Sequence, residues 1–599
     1  MAGTPPTDGK STEVQWLHWG PDAFALAQET DKPVLLSISA VWCYWCHVME
    51  DTTYSDSDLA SFVNNNFVPV MVDNDHRPDV NARYNVGGWP TTAFLTPHGG
   101  YIAGATYLPA DQLLAMLMEV KRAYEEDKSG IYDQTAQLHR QRQDYVGRVS
   151  AGIGELDHRL VDTTARRMAG AYDARYGGFG EEPKFPSAPI LQFMLHLYRT
   201  SGEDFYQAIL QKSLDGMIAG ELYDGVDGGF FRYCAQQDWT EVQHEKMLED
   251  NINLARVFLD ASILLGDPGY QRIASSTLDY LVTVLLDPET GGFRGSQGAH
   301  SDYFGYPEED RKTGEAPAPD PFSYTGLTCQ AASLLLEATW KLPRPELAAI
   351  ALKSLETLSA FAAGGRLPHA FDRHGRPSPQ LSEETDLLTD WAAYLNALLD
   401  AHNSCPNDPE YLSLAQQAVE QLDGRFYDQA RSGYFDTEAD TGAVGYLRLR
   451  EKPLSENVIM AEALLKLHHA TGGTSYRLRA ENVLRAYVEA NRDFGEHAAS
   501  YAVAVDHFLH PPVEITIEGE AGHEATVALS LAAGRVNHPY VIIKPVTAEH
   551  GAAALAHVCV DTLCFPPVSR PEELVASVSE ALAGPQTPAE SIFERFVSF

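Results

Sequence analysis

The stretch Trp42-Cys43-Tyr44-Trp45-Cys46-His47 places two thiols two residues apart, just after the apolar run Pro33-Val34-Leu35-Leu36-Ser37-Ile38. Such a pair, closing a strand and opening a helix, can cycle between dithiol and disulfide. A helix N-terminus favours negative charge, so it would hold Cys43 as thiolate, the nucleophilic form. Cys43 is then the expected attacking thiol, exposed at the strand–helix junction, with Cys46 resolving from one turn inside. Further along, Gly87-Gly88-Trp89-Pro90-Thr91-Thr92 precedes a second apolar run, Ala93-Phe94-Leu95. A cis bond is tolerated almost only before proline, and Pro90 is the expected cis residue packed against the dithiol. These are the parts of a thioredoxin-like redox site.

Other chemistries fit the same two cysteines less well. C-x-x-C is half of a zinc site, but no second C-x-x-C or H-x-x-x-H lies nearby. His47 adjoins Cys46 and would point round the helix from it, a poor co-ligand. Cys43 to His47 also spells C-x-x-C-H, the c-type haem signature, in a strand–helix context that suits a redox pair better. Metal, haem and structural thiols stay as alternatives to the dithiol. No metal and no cofactor are expected.

The elements that must position this pair belong to a large chain. It has 599 residues, enough for about three to five domains. Its net charge of -39, from 83 acidic and 44 basic residues, argues against nucleic acid or an anionic membrane as partner. Seven cysteines are too sparse for a secreted disulfide framework. The N-terminal residues Met1 to Lys10 lack the apolar core of a signal peptide, and no run of eighteen apolar residues occurs. A cytoplasmic setting is expected, where C-x-x-C is more often catalytic than structural.

Organisation follows from periodicity. Residues 1–12 form a polar tail. Residues 13–130 alternate strand and helix signals: helix over Asp22 to Glu29, strand over Val34 to Ile38, helix over Cys46 to Asn64, strand over Phe67 to Val72. A hairpin is expected around Pro97-His98-Gly99-Gly100, and a closing helix over Leu113 to Glu125. Residues 131–158 read as a linker helix. From 159 to 510 about ten helical segments follow one another, the first introduced by Ser187-Ala188-Pro189. Laid over them is a weak repeat: Gly177-Gly178-Phe179, Gly228-Gly229-Phe230, Gly291-Gly292-Phe293 and Ser432-Gly433-Tyr434-Phe435, three of the four preceded by Tyr-Asp. Helical hairpins that cannot bury themselves alone must stack, and six closing on themselves give an (α/α)6 toroid. Its Gly-Gly-aromatic loops should gather at one mouth, with Phe179, Phe230 and Phe293 as an apolar rim. Residues 511–599 return to α/β: strands at Val513 to Ile517 and Val541 to Ile543, helices at Ala553 to Ala556 and Pro571 to Leu582. Cys559 and Cys564 read there as reduced, partly buried thiols. The expected fold class is thus multidomain α/β plus all-α: thioredoxin-like fold, toroid, small C-terminal α/β region.

In combination these strings resemble the spermatogenesis-associated protein 20 family over nearly the whole chain. The resemblance rests on Asp31-Lys32-Pro33, Cys43 through Glu50, Arg77-Pro78-Asp79, Gly87 to Pro90, Thr106-Tyr107 with Pro109, and Gly177 to Gly180. It continues through Pro183-Lys184-Phe185-Pro186, Gly228 to Phe230, Arg232-Tyr233, Asp238-Trp239, Glu245 to Leu248, and Asp250-Asn251. It implies a thioredoxin fold followed by a toroid similar to that of acylglucosamine 2-epimerases, with no settled reaction. This chain departs from it at Val242-Gln243-His244, where a Pro-His-Phe is usual. It departs again at Asp386, at Trp391-Ala392 and at Ser455-Glu456-Asn457. The segment before Gly87 is also short, which should leave the dithiol more open.

The resemblance marks Lys184, Arg232, Tyr233, Asp238, Trp239, Glu245, Lys246, Asp250, Asn251 and Trp391 as candidate ligand-binding residues, beside Cys43, Cys46 and Pro90 as candidate catalytic ones. Glu245, Glu249 and Asp250 would share one helix, where carboxylates could work as acid and base on a sugar. Tyr233, Trp239 and Trp391 could stack on sugar rings. Alternatively Glu245, Lys246 and Arg232 form a buried ion network that fixes hairpins together. Two functions compete: a thiol–disulfide oxidoreductase with a thiol/disulfide protein partner, whose toroid binds a carbohydrate or client, and a carbohydrate-acting enzyme with an accessory thioredoxin unit. A non-catalytic scaffold is the third.

Overall fold

The apolar runs of the first hundred residues become the central strands of a five-stranded sheet. The computed structural model describes residues 13–149, 154–299, 301–381, 385–405, 407–520, 522–550, 552–560 and 563–582, so the tail expected over 1–12 lies outside the described residues. The first unit runs β1 (Leu17–His18), α1 (Pro21–Thr30), β2 (Val34–Ser39), α2 (Tyr44–Met49), a π-helical turn (Glu50–Tyr54), α3 (Ser57–Asn66), β3 (Val68–Asp73), α4 (Pro78–Tyr84), β4 (Thr91–Leu95), β5 (Tyr101–Ala105) and α5 (Ala110–Glu126). The strand order is β1-β3-β2-β4-β5, with β2 parallel to β3 and antiparallel to β4, the thioredoxin arrangement. Val34, Leu36 and Ile38 pack with Phe24 and Tyr84 on one face, and Leu35 with Met49, Leu59 and Leu113 on the other. Burial on both faces is why β2 reads as a continuous apolar run. The single helix expected over Cys46 to Asn64 is three pieces, because Asp56 caps a new start, accepting from the backbone N–H of Asp58 and Leu59. The linker helix is α6 (Lys128–Val149), which begins slightly earlier than expected.

Among the described residues, twelve helices form the toroid. Outer helices α7 (His158–Gly170), α9 (Asp204–Ala219) and α11 (Pro268–Tyr280) alternate with inner helices α8 (Ala188–Ser201) and α10 (Leu248–Leu264). An excursion carrying the short α12 (Ser301–Phe304) and α13 (Glu308–Arg311) leads to inner α14 (Thr325–Lys341) and outer α15 (Glu346–Ala363). Then come inner α16 (Leu388–Ser404), outer α17 (Pro409–Arg425), inner α18 (Leu454–Thr471), outer α19 (Thr474–Arg485) and inner α20 (His497–Leu509). The inner helices pack in the order α8-α10-α14-α16-α18-α20 and back to α8, a closed ring, while α7 packs on α20. Those two, absent from the ten segments read in the sequence, are the pair that closes the ring. Buried on nearly all sides, α14 and α16 lack a polar face to betray an edge.

Every Gly-Gly-aromatic loop joins an outer helix to the next inner one, so all four fall at one end of the ring. Gly178, Gly229 and Gly433 take φ near +75°, the left-handed region glycine favours. Phe179, Phe230 and Phe293 are 4%, 0% and 0% exposed: they are core, not the expected rim, because the loop folds its aromatic ring inward onto its own hairpin. Short strand pairs trim this end: β6 (Tyr233–Cys234) with β7 (Val242–Gln243), β8 (Lys246–Met247) with β9 (Ser296–Gln297), and β10 (Phe322–Tyr324) with β11 (Ala370–Asp372).

The C-terminal unit orders its sheet β13-β12-β14-β15, built from β12 (Val513–Gly519), β13 (Val541–Thr547), β14 (Leu555–Val560) and β15 (Leu563–Cys564). Helices α21 (Glu524–Ala533) and α22 (Pro571–Leu582) cover it. The helix expected at Ala553 to Ala556 is instead the entry to β14. Cys559 and Cys564 are bonded to each other, not reduced: β14 and β15 pair antiparallel and bring these two residues directly opposite.

Candidate functional site

Cys43 stands at the N-cap of α2, its Sγ accepting from the Cys46 backbone N–H at 3.2 Å, and the two cysteines are joined as a disulfide. The Trp89–Pro90 bond is cis, as the sequence predicts. Cys43 is 4% exposed and Cys46 1%, which corrects the expectation of an exposed attacking thiol and an open dithiol. The cover is Trp42, Trp89 and Met247, the last supplied by the toroid strand β8. Around this lid Val41, Tyr44 and Trp45 remain exposed. His47 faces away, bonded to the Val41 carbonyl and near Glu50, which raises its pKa.

The thioredoxin-like unit caps the Gly-Gly-loop end of the ring. Tyr446, from the loop before α18, stacks on Tyr84 at 5.2 Å, and its backbone N–H donates to the Tyr84 hydroxyl. Arg83 pairs with Asp436, and His369 bridges Asp390 Oδ2 and the Asp75 carbonyl, both at 2.8 Å. Between the two units lies a cavity of about 420 Å³ lined by Trp42, Asp75, Trp89, Arg232, Met247, Glu249, Asp250, Tyr324, His369, Asp390 and Glu456. It therefore joins the ring's mouth to the aromatic residues over the dithiol. The inner helices start here, and their N-terminal dipoles favour the carboxylates of their first turns, Glu249, Asp250, Asp390 and Glu456.

These carboxylates are crowded into a narrow space. Burial, then the neighbouring Glu249, pushes Asp250 up to about 7. Burial, then Asp73 and Asp320, pushes Asp75 up to about 7, although Trp42 Nε1 donates to its Oδ2 at 2.7 Å. Burial raises Asp320 to about 6 while the Tyr324 hydroxyl donates to it at 2.9 Å. Glu249 and Glu456 are raised for the same first reason. Arg232 is the cation among them, its guanidinium 4.5 Å from the Trp42 ring centre and 5.3 Å from that of Trp89. The site can hold protons near neutral pH, present aromatic faces and, where Trp42 and Trp89 reach the dithiol, couple to redox chemistry.

The sequence-expected ligand residues divide sharply. Arg232 and Asp250 line the cavity. Glu245 precedes α10 instead of sharing it; its carboxyl is 5% exposed and close to the Tyr44 backbone N–H, with Oε2 unpartnered, and burial raises its pKa. Lys184, Lys246 and Asn251 are locks for the Gly-Gly loops. In each loop an aspartate turns its Oδ1 to two backbone N–H groups and its Oδ2 to a cation. Asp173 pairs with Lys184 at 2.7 Å, Asp224 with Lys246 at 2.7 Å, Asp287 with Arg294 at 3.1 Å and Asp428 with Lys452 at 2.8 Å. Lys246 thus pairs with Asp224, not with Glu245 or Arg232. Asn251 accepts from the Phe230 N–H at 2.6 Å and donates to the Phe230 and Met247 carbonyls; Asn457 repeats this on Tyr434 and Pro453. Trp239 and Trp391 are buried in the ring core, Tyr233 stacks on Phe185 at 4.8 Å, and Asp238 is exposed on a turn, accepting from Thr240. None of those four lines the cavity. Asp75, Asp320, His369 and Asp390 were missed. The run Asp73-Asn74-Asp75, at the carboxyl end of the strand beside the C-x-x-C strand, carries a signal for the first of them; His369 and Asp390 carry none.

The Thioredox_DsbH family, described as a protein of unknown function, DUF255, matches residues 7–143. Over nearly its whole length the chain is similar to spermatogenesis-associated protein 20: 26% identical to that of Homo sapiens over 710 aligned positions, 94% of this chain and 89% of that protein. It is 32% identical to that of Rattus norvegicus over 315 positions, 48% of this chain, a match spanning only 39% of the relative's length. Among solved structures, a sugar epimerase from a ruminal bacterium aligns at TM-score 0.45 and 10% identity, covering 55% of this chain and 86% of that one. A D-mannose isomerase aligns at 0.44 and 12%, with the same coverage.

Proposed function

We propose that this protein is a thiol–disulfide oxidoreductase whose Cys43–Cys46 pair works at a composite site closed by the toroid. The observation that supports it most is the shared cavity: Trp42 and Trp89 pack on the dithiol and also line the ring mouth. In the reduced protein the Cys43 thiolate, favoured by the α2 N-terminus, attacks a substrate disulfide and releases one substrate thiolate. Cys46 then attacks Cys43 Sγ, releasing the second substrate thiolate and restoring the enzyme disulfide. Two electrons pass to the substrate; the proton Cys46 gives up and one taken from solvent, matching the one Cys43 lost on ionising, protonate the two product thiolates. The exposed Val41, Tyr44 and Trp45 offer an apolar face to a protein partner. A cytoplasmic setting is part of the proposal; no helix among the described residues is long and apolar enough to cross a membrane. The test is reduction of cystamine or an insulin disulfide by pre-reduced protein. One equivalent of disulfide should be reduced rapidly by the wild type and none at that rate by Cys43→Ser; equal rates in the two refute the proposal.

One observation favours a second reading, a carbohydrate-acting enzyme: Asp250 and Glu249 lie together in the mouth with Asp250 near neutral in pKa. That pairing can divide acid and base roles between two carboxyls. A thermal-shift screen of sugars and sugar phosphates separates the two readings, because saturable binding that Asp250→Asn abolishes would support this one.

A further inference from the structure

At the seam where the ring closes, away from the mouth, two histidines converge on one carboxylate oxygen. His158 opens α7, the first outer helix, and Asp506 and His510 lie one turn apart at the end of α20, the last inner helix. His510 Nδ1 is 3.3 Å and His158 Nδ1 3.9 Å from the same atom, Asp506 Oδ1. The three candidate ligand atoms all lie within 4.8 Å of one another. The other oxygen, Oδ2, is taken by the buried His196 through Nε2 at 2.9 Å, which fixes the carboxylate with Oδ1 turned to the two rings. The His158 and His510 side chains are 53% and 50% exposed, so solvent reaches the point where they meet.

We propose that His158, Asp506 and His510 bind a divalent transition-metal ion of the zinc type, and that the ion ties the first hairpin to the last. Metal–nitrogen and metal–oxygen bonds of about 2.0–2.2 Å at tetrahedral angles separate donors by about 3.3 Å. The two nitrogen–oxygen distances, 3.3 and 3.9 Å, lie at or near that separation, and the two ring nitrogens lie within 4.8 Å of each other, so a rotamer adjustment of the exposed histidines must bring the rings together. Two imidazoles and one carboxylate suit zinc, nickel or copper and are poor ligands for magnesium or calcium. His196 supplies the outer hydrogen bond that orients a ligating carboxylate. Three protein donors leave a fourth position for water or a small ligand. His510 Nδ1 also lies 3.1 Å from the Asp506 backbone carbonyl, a contact that metal binding at this nitrogen would replace.

The experiment uses the full chain, stripped with chelator and air-oxidised so that the Cys43–Cys46 and Cys559–Cys564 pairs do not compete as thiolates. Zinc chloride is titrated at pH 7.5 by calorimetry, with thermal unfolding in parallel and cobalt absorption as a probe of nitrogen–oxygen coordination. One equivalent of zinc should bind, the unfolding temperature should rise by several degrees, and magnesium should have no effect. His158→Ala and His510→Ala, both at exposed positions that leave the core intact, should each weaken binding at least about tenfold. His550→Ala, an exposed histidine elsewhere, should not change it. Absence of saturable zinc binding in the wild type, or equal affinity in the wild type and the double variant H158A/H510A, overturns the proposal.

Discussion

Replacing Lys246 with methionine separates a loop lock from a ligand residue. Lys246 is fully buried, and its ammonium bonds Asp224 Oδ2 at 2.7 Å and the Gly228 carbonyl at 2.8 Å. Methionine keeps most of the apolar stem but removes the ammonium that lies over the Phe231, Tyr280 and Phe304 rings and strips a cation from a buried carboxylate. Removing one partner of a buried pair costs about 3–5 kcal/mol. Arg311 still contacts both Asp224 oxygens at 2.9 Å, which moves the expectation to the lower end, about 3 kcal/mol, including the orphaned carbonyl. With Asp224→Asn in a double-mutant cycle, the coupling should exceed about 1 kcal/mol. Urea unfolding of the full chain, with amide exchange followed over residues 223–231, reads both effects. A pH signature follows. Burial works to raise the Asp224 carboxyl, but Lys246 and Arg311 overcome it and hold the group below its ordinary value. Its stabilisation is therefore complete above the unfolded pKa and is lost as pH falls through the lower folded value, a loss that Lys246→Met should shrink. If Lys246→Met unfolds within about 0.5 kcal/mol of wild type and exchange over the loop is unchanged, the lock is wrong and Lys246 is available to a ligand.

Three further outcomes are expected. Asn251→Ala and Asn457→Ala should each lose about 2–4 kcal/mol, since each unpairs one buried N–H and two carbonyls; calorimetry showing one costly and the other neutral would break their equivalence. Asp250 is raised to about 7 in the folded protein from an unfolded value near 3.8, so the folded state binds the extra proton and stability falls as pH climbs between those values. Asp250→Asn should then stabilise by about 1 kcal/mol at pH 8, discounted for its access to cavity water, and have little effect at pH 4; denaturation at both pH values checks it. In the reduced protein, Cys46→Ser should trap a mixed disulfide through Cys43 that mass mapping detects, whereas trapping through Cys46 in Cys43→Ser would reverse the assigned roles.

The thioredoxin-like unit was legible because its signals are local: a C-x-x-C after an apolar run, a Gly-Gly-Trp-Pro turn, strands buried on both faces. The toroid was legible through its loops, whose glycines sit where the backbone must take positive φ. What stayed hidden depends on parts far apart in sequence. That Cys43 is covered follows from Met247 docking on it, two hundred residues away. Lys184, Lys246 and Asn251 look like site residues because buried lysines and asparagines near glycine loops resemble ligand contacts; their backbone partners appear only in three dimensions. The pairing of Cys559 with Cys564 turned on one hairpin register. His369 and Asp390 meet across two hairpins with no short motif to announce them.

The most direct measurement is the reduction potential of the Cys43–Cys46 pair in the full chain. Glutathione and dithiothreitol buffers set the poise, and mass-tagged alkylation mapped by peptide keeps this pair apart from Cys559–Cys564. A single two-electron transition between about −120 and −270 mV, the span of thioredoxin-like oxidoreductases, is the predicted result. A potential below about −300 mV, typical of structural disulfides, or a pair that never reduces, contradicts the account.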